Sequence, residues 1–239
     1  MLNKLTNCPG GGIGRHKGLK IPRRQLRAGS SPALGTIIFS MIELINLPSE
    51  APYKKLEALY YQALKQNQRG IEAISISSYD SSSREVESRF VNLKYIQGNE
   101  WIFFSNYSSP KANQFESHDQ ISALIYWPAI NAQIRLKAKI QKTSPEFSDL
   151  HFKNRSKEKN ALAISSTQSS PVDSFETVQK AFQSTLKSMR PDQDRPEYWG
   201  GYSFTPYYFE FWEGHENRLN KRQVFSTQEG SWVEQLLQP

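Results

Sequence analysis

Basic and hydroxyl side chains gather near the ends of two predicted strands, where they could bind a phosphate group. Arg89 and Lys94 bracket one strand, and Ser105, Ser108 and Lys111 surround a turn that enters a predicted helix. Phosphate sites commonly combine a cation, hydroxyl groups and the backbone N–H groups of a helix start. For any one of these residues taken alone, a solvated surface charge is the more frequent role. Together they make an anion site a hypothesis worth testing.

A second basic row consists of His151, Arg155 and Lys159, which are four residues apart. This spacing predicts that one helical face carries all three side chains. Three potential cations on one face disfavour one another unless an anion lies among them. A solvated helix face is the more usual interpretation, so this row alone is only suggestive of an anion site.

Other common kinds of site are not supported by the sequence. The four histidines show no metal-ligand spacing, and the single cysteine, Cys8, excludes an intramolecular disulfide and a cysteine-clustered zinc site. There is no G-x-S-x-G motif. The segment GGGIGR follows no predicted strand, and no acidic ribose partner follows it in the leader. We therefore expect no metal site, and neither a conventional hydrolase nor a dinucleotide-binding motif is indicated.

The basic surplus of the chain lies in its first 40 residues. The formal net charge is +7, and residues 1–40 carry seven Lys or Arg and no Asp or Glu, which leaves residues 41–239 close to neutral. Nucleic-acid binding is therefore not predicted for the body of the chain, and binding through the leader is the least favoured hypothesis. The leader lacks the pattern of a secretory signal and only loosely resembles an organelle transit peptide. We expect either a disordered basic tail or a mistaken start, with the true start at Met41.

The remaining composition indicates one ordered domain, over residues 41–239. No apolar run approaches the roughly 20 residues that a membrane-spanning helix needs. A single cysteine fits a reducing cytoplasm, which is the location that we expect.

Hydrophobic periodicity predicts the elements that must position the basic residues. Helical spacing predicts a helix over about 51–68, and alternation predicts strands over 71–80, 89–96 and 101–107, of which the last two form a hairpin. A short helix with Pro110 near its start follows, and then two strands over 121–128 and 132–142.

The C-terminal part continues this pattern. A helical segment follows Pro145, and a second helix is predicted over 173–189, with Asp173 and Glu176 resembling a capping box. Strands are predicted for YSFTPYYFEFW and RQVFSTQ. Hairpin-length connections without a βαβ rhythm favour an antiparallel barrel or sandwich with helices packed outside.

Five sequence blocks, in register, resemble the pyridoxine/pyridoxamine 5'-phosphate oxidase family over nearly all of residues 51–239. RFVNLK is similar to the family's R-x-V-L-L-K strand, and FFSNYSSPKANQ to its Y-T-N-x-x-S-R-K turn. ALIYWPAINAQIRLKAKIQK resembles its apolar strand and W-x-x-x-x-R-Q turn, with Ala132 in place of the arginine. YWGGYSFTPYYFEFWEGHENRLNKR is the most specific block, and WVEQLLQP resembles the family's terminus.

This resemblance implies a mainly β fold with peripheral helices, an antiparallel Greek-key FMN-binding split barrel. It also implies a homodimer with two sites across its interface, and hydride transfer from the C4' position of a phosphorylated pyridine to FMN, followed by reoxidation with O2. The FMN contacts that it implies are Arg89, Phe90, Val91, Asn92, Leu93, Lys94, Phe104, Ser105, Lys111, Gln133, Gln168, Ser169, Trp212 and Arg222.

The substrate side of the resemblance is less close. The substrate contacts that it implies are Lys94, His151, Arg155, Lys159, Arg218 and Asn220, of which Arg218 and Asn220 are the catalytic candidates. His151 replaces a family tyrosine, Lys159 a serine, Asn220 a histidine and Pro110 an arginine. Oxidation of pyridoxine or pyridoxamine 5'-phosphate is therefore the leading hypothesis. The alternatives are a related oxidase with another substrate, as in phenazine synthesis, and a non-catalytic protein that binds flavin or pyridoxal phosphate.

Overall fold

The computed structural model describes residues 41–239, which form ten strands and five α-helices. The strands are β1 (Glu43–Ile45), β2 (Ala73–Asp80), β3 (Glu85–Asn92), β4 (Tyr95–Gln97), β5 (Glu100–Asn106), β6 (Gln120–Trp127), β7 (Ala132–Lys142), β8 (Trp199–Glu213), β9 (Lys221–Gln228) and β10 (Ser231–Leu237). The helices are α1 (Ala51–Lys65), α2 (Pro110–Ser117), α3 (Pro145–Asn154), α4 (Lys157–Ser165) and α5 (Phe175–Ser188). The predictions made for the leader, residues 1–40, fall outside the described residues.

The strands form one sheet in the order β1-β4-β5-β8-β7-β6-β2-β3, with β9 paired to β8 and β10 paired to β9. Every pair is antiparallel except β1 with β4, which is parallel. Within residues 41–239, the two ends of this order do not pair, so the sheet curves without closing. The predicted mainly antiparallel β architecture with flanking helices is confirmed.

Alternation along β6 and β7 places one face of each strand in the core. Ile121, Ala123 and Ile125 are buried on β6, and the residues between them are exposed. On β7, Ile134 and Leu136 are buried in the same way, as the sequence predicts. Successive side chains of a strand point to opposite faces, so register and burial are determined together.

Helix α1 covers this core and fixes the start of the described chain. Its apolar face buries Tyr53, Leu56 and Tyr60. The Tyr60 hydroxyl donates to the carbonyl oxygen of Ile42 over 2.9 Å and accepts from the Ile42 N–H over 3.0 Å. The helix predicted over 51–68 is therefore confirmed, although it ends at Lys65.

The strand predicted over 89–96 is wrong as a single element, because the chain changes partner in its middle. The Leu93 N–H donates to Glu72, beside β2, whereas the Lys94 N–H donates to Ile102 on β5. The segment therefore leaves one edge of the sheet as β3 and joins another part of it as β4. Local alternation cannot show this crossing, because both halves are extended.

Three further local predictions differ from the structure. The helix after Pro145 ends at Asn154. Arg155 is extended, and Ser156 then caps a new helix, α4. The prediction that one helical face carries residues 151, 155 and 159 is therefore wrong. The N-cap of α5 is Ser174, whose side chain accepts from the Thr177 N–H, and not Asp173. Strands β1 and β10 were not predicted.

Two adjacent glycines let β8 approach its neighbours closely. A Cβ atom at Gly200 would lie 2.1 Å from the Tyr107 hydroxyl oxygen, and one at Gly201 would lie 2.5 Å from Oγ1 of Thr143. The Tyr107 hydroxyl donates to the carbonyl oxygen of Gly201 over 3.1 Å. This packing places Trp199, at the start of β8, beside the residues described next.

None of the helices in residues 41–239 has the length and apolarity to span a membrane.

Candidate functional site

A cleft of about 980 Å³ opens between the β3–β5 strands and helices α2 to α4, and is called the cleft below. It collects most residues that the family resemblance names: Arg89, Phe90, Val91, Asn92, Lys94, Phe104, Ser105, Lys111, His151, Arg155, Lys159, Gln168 and Ser169. The side chain of Leu93 is instead fully buried in the core.

The first basic group of the cleft consists of Arg89 and Lys111. Arg89 is held by three side chains: it donates to the Ser78 hydroxyl over 2.6 Å and to Oε1 of Gln114 over 2.8 Å, and it forms an ion pair with Glu87 at 2.9 Å. Gln114 is itself buried on α2. The guanidinium direction is therefore set by β2 and α2, which the sequence alone did not indicate.

Lys111 is only 7% exposed, and its Nζ atom donates to the hydroxyls of Ser105 and Ser109 over 3.3 Å each. Burial, followed by the charge of Arg89, lowers the pKa of Lys111 to about 8. An ammonium held mainly by hydroxyls beside a guanidinium lacks full charge compensation, and a phosphate would supply it. This donor set fits the phosphate of a flavin mononucleotide.

Gln168 and Ser169 border the same group from a loop. The side-chain oxygen of Gln168, Oε1, accepts from the Ser105 hydroxyl over 3.1 Å and from the Asn106 N–H over 3.2 Å. Ser169 has a φ of 70°, in the left-handed region, which turns the chain beside the cleft. The loop is thus tied to β5 through an amide side chain, and the amide NH2 of Gln168 remains a donor toward a ligand.

The second basic group consists of Lys94, His151, Arg155 and Lys159. Arg155 lies over the Trp199 ring with its guanidinium carbon 4.3 Å from the ring centroid, and it donates to Asn160 and to the Lys159 carbonyl oxygen. Burial lowers the pKa of Arg155 to about 10. Burial also lowers the pKa of Lys94, and the charges of Lys159 and Arg155 lower it further, whereas Glu72 partly offsets this.

His151 lies flat against an aromatic side chain within this group. Its ring is stacked on Phe104 at a centroid distance of 3.6 Å, and its Nδ1 atom is 2.8 Å from the Tyr95 hydroxyl oxygen. Burial, followed by the charges of Arg155, Lys94 and Lys159, lowers the pKa of His151 to about 4. The imidazole is therefore neutral at pH 7. The break between α3 and α4 brings the predicted row together, although no single helix carries it.

The remaining predicted residues lie elsewhere in the protomer. Gln133, Trp212 and Arg222 are cross-strand neighbours on β7, β8 and β9. Trp199, at the cleft, and Trp212 stand 13 positions apart on the same strand. At about 3.3 Å per residue, the strand contour between them is roughly 43 Å. None of these three residues lines the cleft of the same protomer.

A buried carboxylate holds this distant group in place. Glu210 is 3% exposed and accepts from Arg222 over 2.9 Å and from the Tyr208 hydroxyl over 3.0 Å, and it also pairs with Arg135. Arg222 donates in addition to the carbonyl oxygen of Gln238, which ties the C-terminus to β9. The sequence analysis missed Glu210, although its block did contain it.

The loop between β8 and β9 carries Arg218 and Asn220. Arg218 has a φ of 60°, and its N–H donates to the carbonyl oxygen of His215 over 2.9 Å. The side-chain oxygen of Asn220 accepts from the His215 N–H over 3.0 Å. Asn220 thus stabilises its own loop and leaves its amide NH2 as the group available to a ligand. Tyr95 and Trp199 are among the cleft residues that the sequence analysis missed.

Comparison with known proteins identifies the family of the chain. Residues 199–239 match a family model described as the pyridoxine 5'-phosphate oxidase C-terminal dimerisation region. A pyridoxine/pyridoxamine 5'-phosphate oxidase from Rhodopirellula baltica is 32% identical over 196 residues, which cover 79% of this chain and 87% of that protein. The chain belongs to the pyridoxine/pyridoxamine 5'-phosphate oxidase family.

Solved structures show the same fold for this family member. PhzG from Burkholderia lata 383, in complex with tetrahydrophenazine-1-carboxylic acid, superposes with a TM-score of 0.75 at 24% identity, covering 80% of this chain and 94% of that one. A pyridoxamine 5'-phosphate oxidase-related, FMN-binding protein from Nostoc punctiforme gives a TM-score of 0.64 at 13% identity, covering 80% and 99%. The predicted split-barrel fold is confirmed.

Proposed function

We propose that this family member is an FMN-dependent oxidase that converts pyridoxine or pyridoxamine 5'-phosphate to pyridoxal 5'-phosphate. The observation that supports this most is that one cleft carries two distinct basic groups, Arg89 with Lys111 and the group around Arg155. Phe104 contacts the second group and Ser105 contacts the first, so consecutive residues of β5 border both. Two anionic groups, one from the cofactor and one from the substrate, match this pair. Cytoplasmic location remains a prediction from the single cysteine.

On the cofactor side, Arg89 and Lys111 would neutralise the phosphate, and the amide NH2 of Gln168, which lies beside Ser105, would donate to the same end of FMN. FMN, if bound, would supply the two-electron acceptor for oxidation at C4': a hydride would leave C4' and a proton its hydroxyl or amino group, and O2 would finally take up both to give hydrogen peroxide. With the amine substrate, water would then hydrolyse the resulting imine to the aldehyde and ammonia. Apart from that step, the residues of the chain bind, orient and exclude water. The loss of a family arginine at Pro110 leaves Lys111 with a larger share of the phosphate charge than the family pattern implies.

We further propose that two copies of the chain build each site. Gln133, Trp212 and Arg222 lie at the far end of β8, so a second copy would have to supply them to the cleft. The outer face of the sheet exposes apolar side chains that suit such an interface, including Phe90 at 76%, Tyr126 at 53% and Leu124 at 36% exposure. The family model that matches residues 199–239 is described as a dimerisation region, which supports the same proposal.

Subunit complementation tests this arrangement directly. In a heterodimer of Lys111→Met and Trp212→Ala chains, one site carries both defects and the other carries neither, so mixing should restore activity. If each site were formed by one chain, every site would keep one defect and mixing would restore nothing. Each variant alone, refolded under the same conditions, is the control.

On the substrate side, Lys94, Arg155 and Lys159 would bind the phosphate, while Arg218 and Asn220 would lie at the reacting carbon. Asn220 has no proton to exchange near neutral pH, whereas the family histidine at this position can titrate. If that histidine takes part in proton transfer, its absence costs on the order of a hundredfold in rate. Asn220 would then orient the substrate through its amide NH2.

Departures from the family pattern on the substrate side favour a second candidate, which is a related oxidase with another substrate. Because Asn220, His151 and Lys159 all depart from the family pattern on the substrate side, the substrate is less constrained than the flavin. Replacing Asn220 with histidine distinguishes the two candidates. The variant should gain activity on pyridoxine 5'-phosphate under the first candidate and should not under the second.

The central experiment is anaerobic reduction of the purified protein with FMN bound. Pyridoxine 5'-phosphate should bleach the yellow colour, and admission of O2 should restore it with formation of hydrogen peroxide. Protein that takes up no FMN would contradict the proposal. Protein that binds FMN tightly but is reduced by no candidate amine or alcohol would indicate the non-catalytic alternative.

A further inference from the structure

A second, smaller cavity opens beside the first basic group of the cleft, and is called the side pocket below. Its volume is about 430 Å³, which lies within the roughly 300–1,000 Å³ that is typical of small-molecule sites. Pro110, Gln168 and Ser169 line both the cleft and the side pocket. The side pocket therefore continues the cleft from the place where the phosphate of FMN would lie.

The side pocket is polar but carries no positive charge of its own. Among the described residues that line it, six are serines, three are Asn or Gln, one is Asp80, and none is Lys or Arg. A site without a cation does not suit another free phosphate. Hydroxyl, amide and carboxylate groups suit instead the hydroxyls of a sugar and the polar edge of a base.

Asp80 is a preformed hydrogen-bond acceptor in the side pocket. Its Oδ1 atom accepts from the Ser82 N–H over 2.8 Å, from the Ser82 hydroxyl over 2.6 Å and from the Ser83 N–H over 3.2 Å. The bonds from Ser82 and Ser83 lower the pKa of Asp80, so the carboxylate is charged near neutral pH. In dinucleotide-binding proteins an acidic residue commonly accepts from the hydroxyls of a ribose.

Gln114 connects the side pocket to the first basic group. It is 2% exposed, and its Oε1 atom accepts from Arg89 over 2.8 Å and from the Ser78 hydroxyl over 2.5 Å. Its Nε2 atom is buried and has no partner at hydrogen-bond distance within residues 41–239. The amide also contributes to the low pKa of Asp80, so its NH2 end is directed toward that carboxylate. The phosphate site and the side pocket thus share one polar framework.

Pro110 stands where the two cavities meet. It lies in the first turn of α2, and its ring carries neither a donor nor a charge. The family resemblance places an arginine that contacts the phosphate at this position. In this chain no long, charged side chain therefore projects from position 110 between the phosphate site and the side pocket.

We propose that the cleft accepts a flavin dinucleotide, FAD, as well as FMN, with the adenylate half of FAD in the side pocket. This inference rests on the proposed function, since it extends the proposed flavin site. The phosphate monoester of FMN carries close to two negative charges at neutral pH. The diphosphate of FAD carries one on each phosphorus, so Arg89 and Lys111 can compensate either ligand.

The adenylate half would find its partners on two elements. Asp80, at the end of β2, would accept from the ribose hydroxyls. Asn113, on the exposed side of α2, would pair with the N6 and N7 edge of adenine, as side-chain amides do in nucleic-acid recognition. Neither residue would contact FMN, because FMN ends at its phosphate.

The first test compares the two flavins on flavin-free protein by isothermal titration at pH 7.5. The FAD is freed of FMN beforehand, and bound flavin is identified by chromatography after denaturation. Because the charge is equal, the Kd for FAD should lie within about tenfold of that for FMN, and a larger gap would overturn the proposal. In Pro110→Arg, the restored contact should lower the Kd for FMN roughly tenfold. The same side chain should raise the Kd for FAD by a similar factor.

Two further variants test the side pocket itself. Asp80→Asn should raise the Kd for FAD roughly tenfold, and Asn113→Ala roughly fivefold, as expected for lost hydrogen bonds. Both should leave the Kd for FMN within twofold. Glu116→Gln is the matched control, because Glu116 is exposed on α2 and does not line the side pocket. It should change neither Kd more than twofold.

Several results would overturn the proposal. They are equal effects of Asp80→Asn on both flavins, no effect on FAD in either side-pocket variant, and a loss of affinity for FMN in Pro110→Arg as large as that for FAD. Opposite changes for the two flavins in one variant cannot arise from misfolding, so Pro110→Arg carries its own control.

These outcomes are separable from failure of the proposed function. Protein that binds FMN but rejects FAD refutes the inference alone. Protein that binds both flavins as expected, but oxidises no candidate amine or alcohol, refutes the proposed catalysis and leaves the inference standing. Protein that binds neither flavin refutes both.

Discussion

Replacing Lys111 with methionine should weaken FMN binding selectively through the phosphate. The side chain is 7% exposed and donates to two serine hydroxyls at 3.3 Å. Methionine keeps an unbranched apolar stem in the same space and removes the charge. A hydrogen bond to a charged group contributes about 1.5–3 kcal/mol. Loss of about 2 kcal/mol corresponds to a roughly 30-fold higher Kd for FMN.

The pKa of Lys111 also predicts how FMN affinity depends on pH. Burial and Arg89 lower this pKa to about 8 in the FMN-free protein, and a bound phosphate raises it by favouring the ammonium. Below pH 8 the lysine is already protonated, whereas above pH 8 a proton must be taken up on binding. The wild-type Kd should therefore rise by about tenfold between pH 7 and pH 9. In Lys111→Met this dependence should be absent.

The assay is quenching of flavin fluorescence on titration of FMN-free protein, with riboflavin as the ligand that lacks a phosphate. Riboflavin affinity should be the same in wild type and variant at both pH values. Lys180→Met is the control, because that lysine is 76% exposed on α5. The reasoning is refuted if wild-type FMN affinity does not change between pH 7 and 9, or if the variant loses affinity for riboflavin as much as for FMN.

Two further predictions concern stability. Gly200→Ala should lower the free energy of unfolding by about 1–3 kcal/mol, because its Cβ would lie 2.1 Å from the Tyr107 hydroxyl oxygen and the packing must shift. Glu210→Gln should lower it by about 3 kcal/mol, because two arginines would lose their buried carboxylate partner. Burial alone would raise the pKa of Glu210, but Arg222, Tyr208 and Arg135 hold it below its usual 4.5. Its contribution to stability is therefore present above pH 4.5 and lost as the pH falls through the lower folded value.

Urea denaturation measures both effects, and wild type at pH 7 is the reference. If Gly200→Ala has the same free energy of unfolding as wild type, the Tyr107 ring moves aside without loss of stability. For Glu210, the difference between wild type and Gln variant should shrink at acid pH. A difference that stays constant down to pH 3 would contradict the assignment of the charge.

Much of the fold was predictable because its signals are local. Strands β6 and β7 alternate buried and exposed residues along their whole length, and α1 repeats apolar residues at helical spacing. The family resemblance then named most of the residues that the cleft collects, from Arg89 to Ser169. The two breaks in the predicted elements, near Lys94 and at Arg155, could not be found this way. Each depends on which distant strand or helix the backbone contacts next.

By itself, the sequence determined which residue types are present, which segments are extended or helical, and where the family pattern is broken. Only the tertiary structure decided that the basic residues form two groups in one cleft, and that Trp212 stands at the other end of β8 from it. It also decided that His151 is stacked on Phe104 beside Tyr95, where burial and three nearby cations lower its pKa and keep it neutral. The physical reason is that burial and the approach of distant charges set the pKa and direction of a side chain. Neither quantity is encoded in local spacing.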